Sequence, residues 1–208
     1  MEKFNKLRIA MRYRLLGAAQ AAPEFKVALA AFDFAETNTV GFRKDNKTPN
    51  FMHPMEVIAY LMTVQPSLRH PGESMAAAAL HDIVEDTRIS LDEIQERFGS
   101  RVAHATRRLS KVVGGVKVGS LAEYFESMLD CPIAPAVKGS DRINNQGTMV
   151  GAFSPAKQME YVEETERYIL PMVKQARRLY SDQEAVFENI KLVMQNQVLL
   201  VRAIHQKI

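Results

Sequence analysis

Cysteine is almost missing from this chain, and that narrows the options before any motif is read. Cys131 stands alone, so no internal disulfide can form, and nothing near it suggests a zinc knuckle or an activated thiol. It reads as a buried or loop cysteine, in keeping with a reducing, cytoplasmic compartment. Long apolar runs are also missing. None approaches the ~20 residues that span a bilayer, so no membrane partner is expected. Lys3, Lys6, Arg8, Arg12 and Arg14 precede an apolar stretch from Leu15 to Ala22, but that stretch is short and contains Gln20, which argues against a signal peptide. Neither sign of charge dominates. The 27 basic and 24 acidic residues leave a formal +3, a slight bias towards acidic or phosphorylated partners. Repeats and alternating strand patterns are lacking too. With 208 residues, 47% of them hydrophobic, the chain suits one domain over residues 1–208 with a sizeable core.

What is present is helical periodicity. Phe4, Leu7, Met11 and Leu15 recur at helical spacing, and Pro23 suits the first position of a second helix with Phe25, Leu29 and Phe32 inside. Thr37 to Asn50 is rich in Asn, Thr, Lys and Gly and reads as a loop in which Arg43 and Lys44 are mobile. Pro54 starts the next helix, with Met55, Ile58, Leu61 and Met62 facing inward. Met75 to Leu80 reads as a buried helix with no Gly or Pro before Thr87. Ser90 to Glu93 is a capping box for a helix ending near Gly99. The stretch 111–119, with Gly114-Gly115, looks the least ordered. Cys131-Pro132 opens a helix carrying Asp141, Ser154-Pro155 a long one through about Tyr180, and Ser181 to Glu184 caps a final helix with Val186, Ile190, Val193, Val198 and Val201. That last helix suits packing within the monomer better than dimerisation, and the oligomeric state stays open.

The densest chemistry lies in Leu80-His81-Asp82-Ile83-Val84-Glu85-Asp86-Thr87. On a helix His81 would stack with Glu85 and Asp82 with Asp86, since residues four apart share a face. Polar groups at the end of a core helix are costly unless a metal or hydrogen bonds satisfy them. A solvated helix end is the plain alternative. His53 lies 28 residues upstream, at the entry to an apolar helix, and Asp141 lies 60 residues downstream of His81. Two imidazoles and two carboxylates would suit Mn, Fe(II) or Zn better than Ca or Mg, with positions left for water and substrate. Spacing alone does not join these segments.

The run Arg43-Lys44-Asp45, Thr48-Pro49, His53-Pro54, His81-Asp82-x-x-Glu85-Asp86-Thr87, Phe98-Gly99 and Lys138-x-x-Asp141-Arg142-x-x-Asn145 resembles the hydrolase domain of RelA/SpoT homologues. These HD-domain enzymes remove the 3′-pyrophosphate from the stringent-response alarmones ppGpp and pppGpp. The match runs from about Phe25 to at least Tyr168, and the absence of space for synthetase and regulatory domains resembles the small, single-domain alarmone hydrolases. The resemblance implies an all-α HD-domain bundle of about eight to ten helices and a guanosine-3′,5′-bis(diphosphate) 3′-pyrophosphohydrolase activity. It implies His53, His81, Asp82 and Asp141 as ligands of one divalent metal, usually Mn²⁺, and Glu85 and Asp86 as the catalytic acidic pair. Arg43, Lys44 and Asn145 fall on nucleotide-contacting positions, and Lys157 and Tyr161 resemble a basic residue and tyrosine that hold phosphates and base. The chain departs from the family at Asn50, at Gly139-Ser140 and over 110–119. Asn50 and the 110–119 segment are expected to border the substrate pocket, which bears on substrate identity. A 3′-pyrophosphorylated tRNA end, contacted by Arg107, Arg108, Lys111 and Lys117, another nucleotide phosphoester, or an inactive binding module are the competing readings.

Overall fold

The computed structural model describes residues 1–205 and contains twelve α-helical segments among them. The first is α1 (Glu2–Ala21), followed through a 3-10 turn at Pro23–Phe25 by α2 (Lys26–Asn38). Then come α3 (Met52–Thr63), α4 (Pro71–Leu80), the single turn α5 (Ile83–Asp86), α6 (Leu91–Phe98) and α7 (Ser100–Leu109). After a two-stranded hairpin the chain continues with α8 (Leu121–Ser127), α9 (Ala134–Thr148), α10 (Pro155–Glu164), α11 (Leu170–Leu179) and α12 (Glu184–His205). Among the described residues no helix is long and apolar enough to cross a membrane. The fold is the all-α bundle expected.

The centre of the bundle is α4. Every residue from Met75 to Leu80 is buried, because α2, α3, α7 and α9 pack around it. Four consecutive alanines, Ala76 to Ala79, keep that helix thin enough to be surrounded. Its first turn needs Gly72, since a Cβ there would fall 2.0 Å from the Glu24 carbonyl oxygen. The same close approach explains Gly139 on α9, where a Cβ would meet Ile190 of α12 at 2.5 Å. The final helix therefore packs within the monomer on α9, α10 and α11, while Leu192, Leu199 and Leu200 remain exposed on its outer side.

Several boundaries differ from the sequence reading. The helix expected to run on from Met75 towards Thr87 breaks at His81-Asp82, which form a turn between α4 and α5. The rod from Ser154 to Tyr180 is one helical run, but it passes through a π-turn at Thr165–Ile169 in which the Leu170 N–H reaches the Thr165 carbonyl. Pro171 follows at once and has no N–H to keep the ordinary ladder. The carrier of Asp141 starts at Ala134 with Pro135 in its first turn, not at Pro132. Ser181 opens a 3-10 turn, and no side chain caps that turn. A full capping box is instead formed by Ser120 and Glu123. Ser90 does cap α6 by accepting from the Glu93 N–H.

The stretch read as least ordered contains the hairpin, with Val112 paired to Lys117 and Val113 to Val116. Gly114 and Gly115 make its turn at φ of 57° and 78°, a conformation glycine adopts without steric cost. The loop after α2 is also built. Phe42 and Pro49 form an antiparallel bridge, and the Asp45 carboxylate accepts from the Lys47 and Thr48 N–H groups and the Thr48 hydroxyl.

Candidate active site

The break after Leu80 gives His81 its role. Its Nδ1 donates to the Ala78 carbonyl at 2.8 Å, one turn back in its own helix, which leaves Nε2 as the outward nitrogen. His53, at the start of α3, brings its Nε2 to 3.1 Å from that of His81. Asp82 Oδ2 adjoins the pair at the His81 end, 3.1 Å from its Nε2 and 4.0 Å from that of His53. Asp141 Oδ1, from α9, adjoins it at the other end, 3.0 Å from His53 and 4.0 Å from His81. His53, His81 and Asp141 are buried, while the Asp82 side chain is 48% exposed and opens to the cleft. The donor atoms of His53, His81 and Asp82 lie within 4.8 Å of one another, and Asp141 joins them through the two imidazoles.

The set fits a cation. Donors about 2.0–2.2 Å from a common ion stand roughly 3–4 Å apart, which matches the separation of the two imidazoles and of each carboxylate from them. The electrostatics agree. Burial disfavours charge on His81, but the Asp82 and Asp141 carboxylates outweigh it and raise its pKa to about 9. Enclosure would raise Asp82, yet His81 brings it down to about 2. Burial opposes ionisation of Asp141 as well, and Lys138, His53 and His81 hold it well below the usual carboxylate range. The two carboxylates concentrate negative charge at the imidazoles, where a proton and a cation would compete for the same nitrogens.

Asp141 is clamped from outside the set. Lys138, one turn earlier on α9, places Nζ 2.7 Å from Asp141 Oδ2, and Asn145 donates to Oδ1. Lys138 is itself enclosed, 6.0 Å from the centre of the Tyr124 ring. Sequence reading assigned Lys138 no role, although its three-residue spacing from Asp141 was the available signal. It also missed Asn144, which meets His53, and Arg142. Arg142 is buried and donates to the Tyr161 carbonyl at 3.3 Å, pairs with Glu164, and lies 4.5 Å from the Tyr161 ring centre.

His53, Asp82 and Asp141 open onto a cleft of about 850 Å³ that is also lined by Glu85, Asp86, Arg43, Lys44, Asn145 and Tyr161, with His81 set behind them. Glu85 accepts from the Lys111 N–H at the base of the hairpin. Burial, then Asp82 and Glu85, push the Asp86 carboxyl up. Arg43 donates to Asn145 Oδ1 at 3.4 Å, and Lys44 lies 4.7 Å from the centre of Phe153, a ring tilted against Tyr161. No sequence pattern had singled out Phe153. Asn50 and Lys111 border the cleft, as their segments were expected to. Lys157 does not line it; its Nζ is exposed and pairs with Glu160 at 2.6 Å. Arg107, Arg108 and Lys117 also lie outside the lining, and Arg108 is tied to Asp130.

A bundle in which two histidines and an aspartate at helix ends meet an aspartate from the middle of α9 has a recognisable family. The HD domain family model matches residues 31–183, and the chain belongs to that family. Among its relatives, the guanosine-3′,5′-bis(diphosphate) 3′-pyrophosphohydrolase of Aquifex aeolicus is 31% identical over 147 residues, covering 68% of this chain and 20% of that protein. The Vibrio cholerae protein of the same name is 26% identical over 157 residues, covering 72% and 22%. The chain thus spans about a fifth of the length of these relatives. A solved structure described as a metazoan orthologue of SpoT that hydrolyses ppGpp superposes with a TM-score of 0.59 at 19% identity, covering 78% of this chain and 94% of that one. It shares the fold. The likeness to RelA/SpoT homologues read from the motif run is borne out by these relatives.

Proposed function

We propose that this chain is a cytoplasmic, divalent-metal-dependent hydrolase that removes the 3′-pyrophosphate from ppGpp and pppGpp, yielding GDP or GTP and pyrophosphate. The observation that carries the reading is the meeting of four metal-suited donors, an adjacent acidic pair and two loop cations in one cleft. The names of the relatives supply the substrate. His53, His81, Asp82 and Asp141 would hold the ion, with Mn²⁺ the first choice and Fe or Zn the alternatives. With an ion held there, these residues would present the site with a Lewis acid for activating a water and polarising the scissile phosphate.

The chain's own groups supply the remainder. Glu85, held by the Lys111 N–H, takes the proton from the attacking water. Asp86 keeps its proton to higher pH than an ordinary carboxyl, which suits it to protonate the departing 3′-oxygen. Arg43 and Lys44 neutralise pyrophosphate charge, and the tilted Phe153 and Tyr161 rings give the base an apolar face. This division of labour gives the two adjacent carboxylates different tasks.

The test is a substrate panel with Mn²⁺: ppGpp, pppGpp, other nucleotide phosphates and 3′-pyrophosphorylated tRNA, beside a His81→Ala control. Pyrophosphate release from the two alarmones, abolished in the control, is the expected result. Preference for the tRNA end, or release of orthophosphate alone, overturns the substrate. No turnover of any phosphoester overturns the enzyme.

A further inference from the structure

The two imidazoles of the site are aligned by different devices. His81 is set by a carbonyl of its own helix. His53 is set by side chains: its Nδ1 lies 2.6 Å from Asn144 Oδ1, and Asn144 Nδ2 lies 2.9 Å from Glu56 Oε2. Glu56 sits three residues after His53 on α3, and Asn144 three residues after Asp141 on α9. The other Glu56 oxygen faces Lys3 Nζ of α1 at 3.7 Å, and the Glu56 side chain is 22% exposed. Glu56 therefore stands one step outside the contacts made by the donors themselves.

Elementary hydrogen-bond chemistry gives this chain of contacts a direction. An ionised carboxylate only accepts, so Glu56 must receive the NH₂ of Asn144. The amide oxygen is then the atom turned to His53. That oxygen also only accepts, so Nδ1 of His53 must carry a proton and donate. An imidazole protonated on Nδ1 has its Nε2 left to meet a cation. The carboxylate at the far end thus decides the tautomer at the near end.

We infer that Glu56 is a positioning residue for the metal centre, acting through Asn144 to hold His53 in the tautomer and ring orientation that a divalent cation requires. The inference rests on His53 being a ligand, as in the proposed function, but not on the substrate. A plain interhelical hydrogen bond between α3 and α9 would look similar and would differ in its consequences. It would support stability without favouring one direction of donation.

Reversing the carboxylate and the amide separates the two. Glu56→Gln keeps the shape but allows either face of the new amide to meet Asn144, so the direction is lost. Asn144→Asp still offers His53 only acceptors, but repulsion from Glu56 parts the two carboxylates and frees the ring from its fixed orientation. In the double variant the new carboxylate accepts from His53 with one oxygen and from the new amide with the other, so the direction returns. Binding of Mn²⁺ alone, measured by titration calorimetry, is expected to weaken about 10–100-fold in each single variant and to recover to within about threefold of the parent in the double variant. Turnover of ppGpp should follow the same pattern at limiting Mn²⁺, with KM little changed.

Single variants that bind Mn²⁺ as tightly as the parent overturn the inference, whether or not thermal stability falls. A double variant as weak as the weaker single variant overturns it too. If Asn144→Asp does not fold, the nearly isosteric Glu56→Gln carries the test, and unchanged Mn²⁺ affinity there is decisive. A parent that binds Mn²⁺ but leaves ppGpp intact would sink the proposed substrate while leaving every one of these titrations readable.

Discussion

The donors His53, His81, Asp82 and Asp141 come from the ends and interiors of helices, whereas about half of the remaining cleft lining comes from connecting segments. On the helical side the donors meet at 3.0–4.0 Å, and three of the four are buried. Three of them also have a fixed neighbour outside the set: Asn144 for His53, Ala78 for His81 and Lys138 for Asp141. On the other side Arg43 and Lys44 stand in the loop before α3, Lys111 begins the hairpin, and Phe153 lies between α9 and α10. The difference teaches where rigidity is needed. A metal demands donors fixed to fractions of an ångström, which packed helices supply. A substrate's phosphates and base tolerate side chains on shorter, more exposed supports. The link between the two sides is narrow: Arg43 donates to Asn145, and Asn145 donates to Asp141.

The contrast breaks most sharply at Lys138. It is enclosed and paired with a buried carboxylate, so Lys138→Met leaves Asp141 short of its counter-charge. Removing one partner of a buried pair costs about 3–5 kcal/mol. Chemical denaturation should show a loss of that order in the metal-free protein, smaller when Mn²⁺ is bound. A loss below about 1 kcal/mol would mean that Asn145 and the two imidazoles sustain Asp141 without Lys138. The next effect is chemical, with little change in stability. Glu85→Gln keeps the contact with Lys111 N–H but cannot take a proton, so turnover should fall by about 10²-fold or more while Mn²⁺ binding stays normal. Near-normal turnover would remove Glu85 from the chemistry even with the metal centre intact.

The same contrast governs what the sequence disclosed. The convergence of His53, His81, Asp82 and Asp141 was legible only through the family resemblance, which joined segments that spacing could not. The buried helix from Met75 to Leu80 was legible because nothing polar interrupts it. Its end was not. The turn at His81-Asp82 contains no Gly or Pro, and local preference alone would have let the helix continue. The π-turn was missed although Pro171 stood in the sequence, since a proline inside an apolar periodic run reads as tolerated until its carbonyl partners are seen. Phe153 and the outward turn of Lys157 depend on how connecting segments fold back, which periodicity does not record. Lys138 was quoted within the motif yet passed over, because an isolated lysine one turn from an aspartate is usually an ordinary surface pair.

The smallest effects belong to the loop, and they sharpen the contrast. Arg43→Ala should raise KM for ppGpp about tenfold, roughly 1.4 kcal/mol of ground-state binding, with a smaller fall in kcat. Asp45→Asn tests the support of that side chain and not the side chain itself. The Asp45 carboxylate accepts from the Thr48 hydroxyl at 2.6 Å and from the Thr48 and Lys47 N–H groups at 2.8 and 2.9 Å. Those bonds, the Thr48 hydroxyl first, bring its pKa down to about 2. A depressed folded-state pKa stabilises the loop above the unfolded value of about 3.9, and this support is lost as pH falls through about 2. Above pH 5 the loop should therefore be insensitive to pH, and a carboxyl NMR titration of Asp45 should show a midpoint near 2. A midpoint near 3.9 would mean that the carboxylate does not organise the loop. Asp45→Asn can keep its amide oxygen on the two N–H groups but puts an NH₂ where Oδ2 accepted the Thr48 hydroxyl, and it removes the charge, so it should raise KM about two- to threefold and leave kcat and Mn²⁺ affinity unchanged. A change in Mn²⁺ affinity would show that the contact from Arg43 through Asn145 to Asp141 carries strain from the loop into the metal centre, and that the two sides of the cleft are one unit.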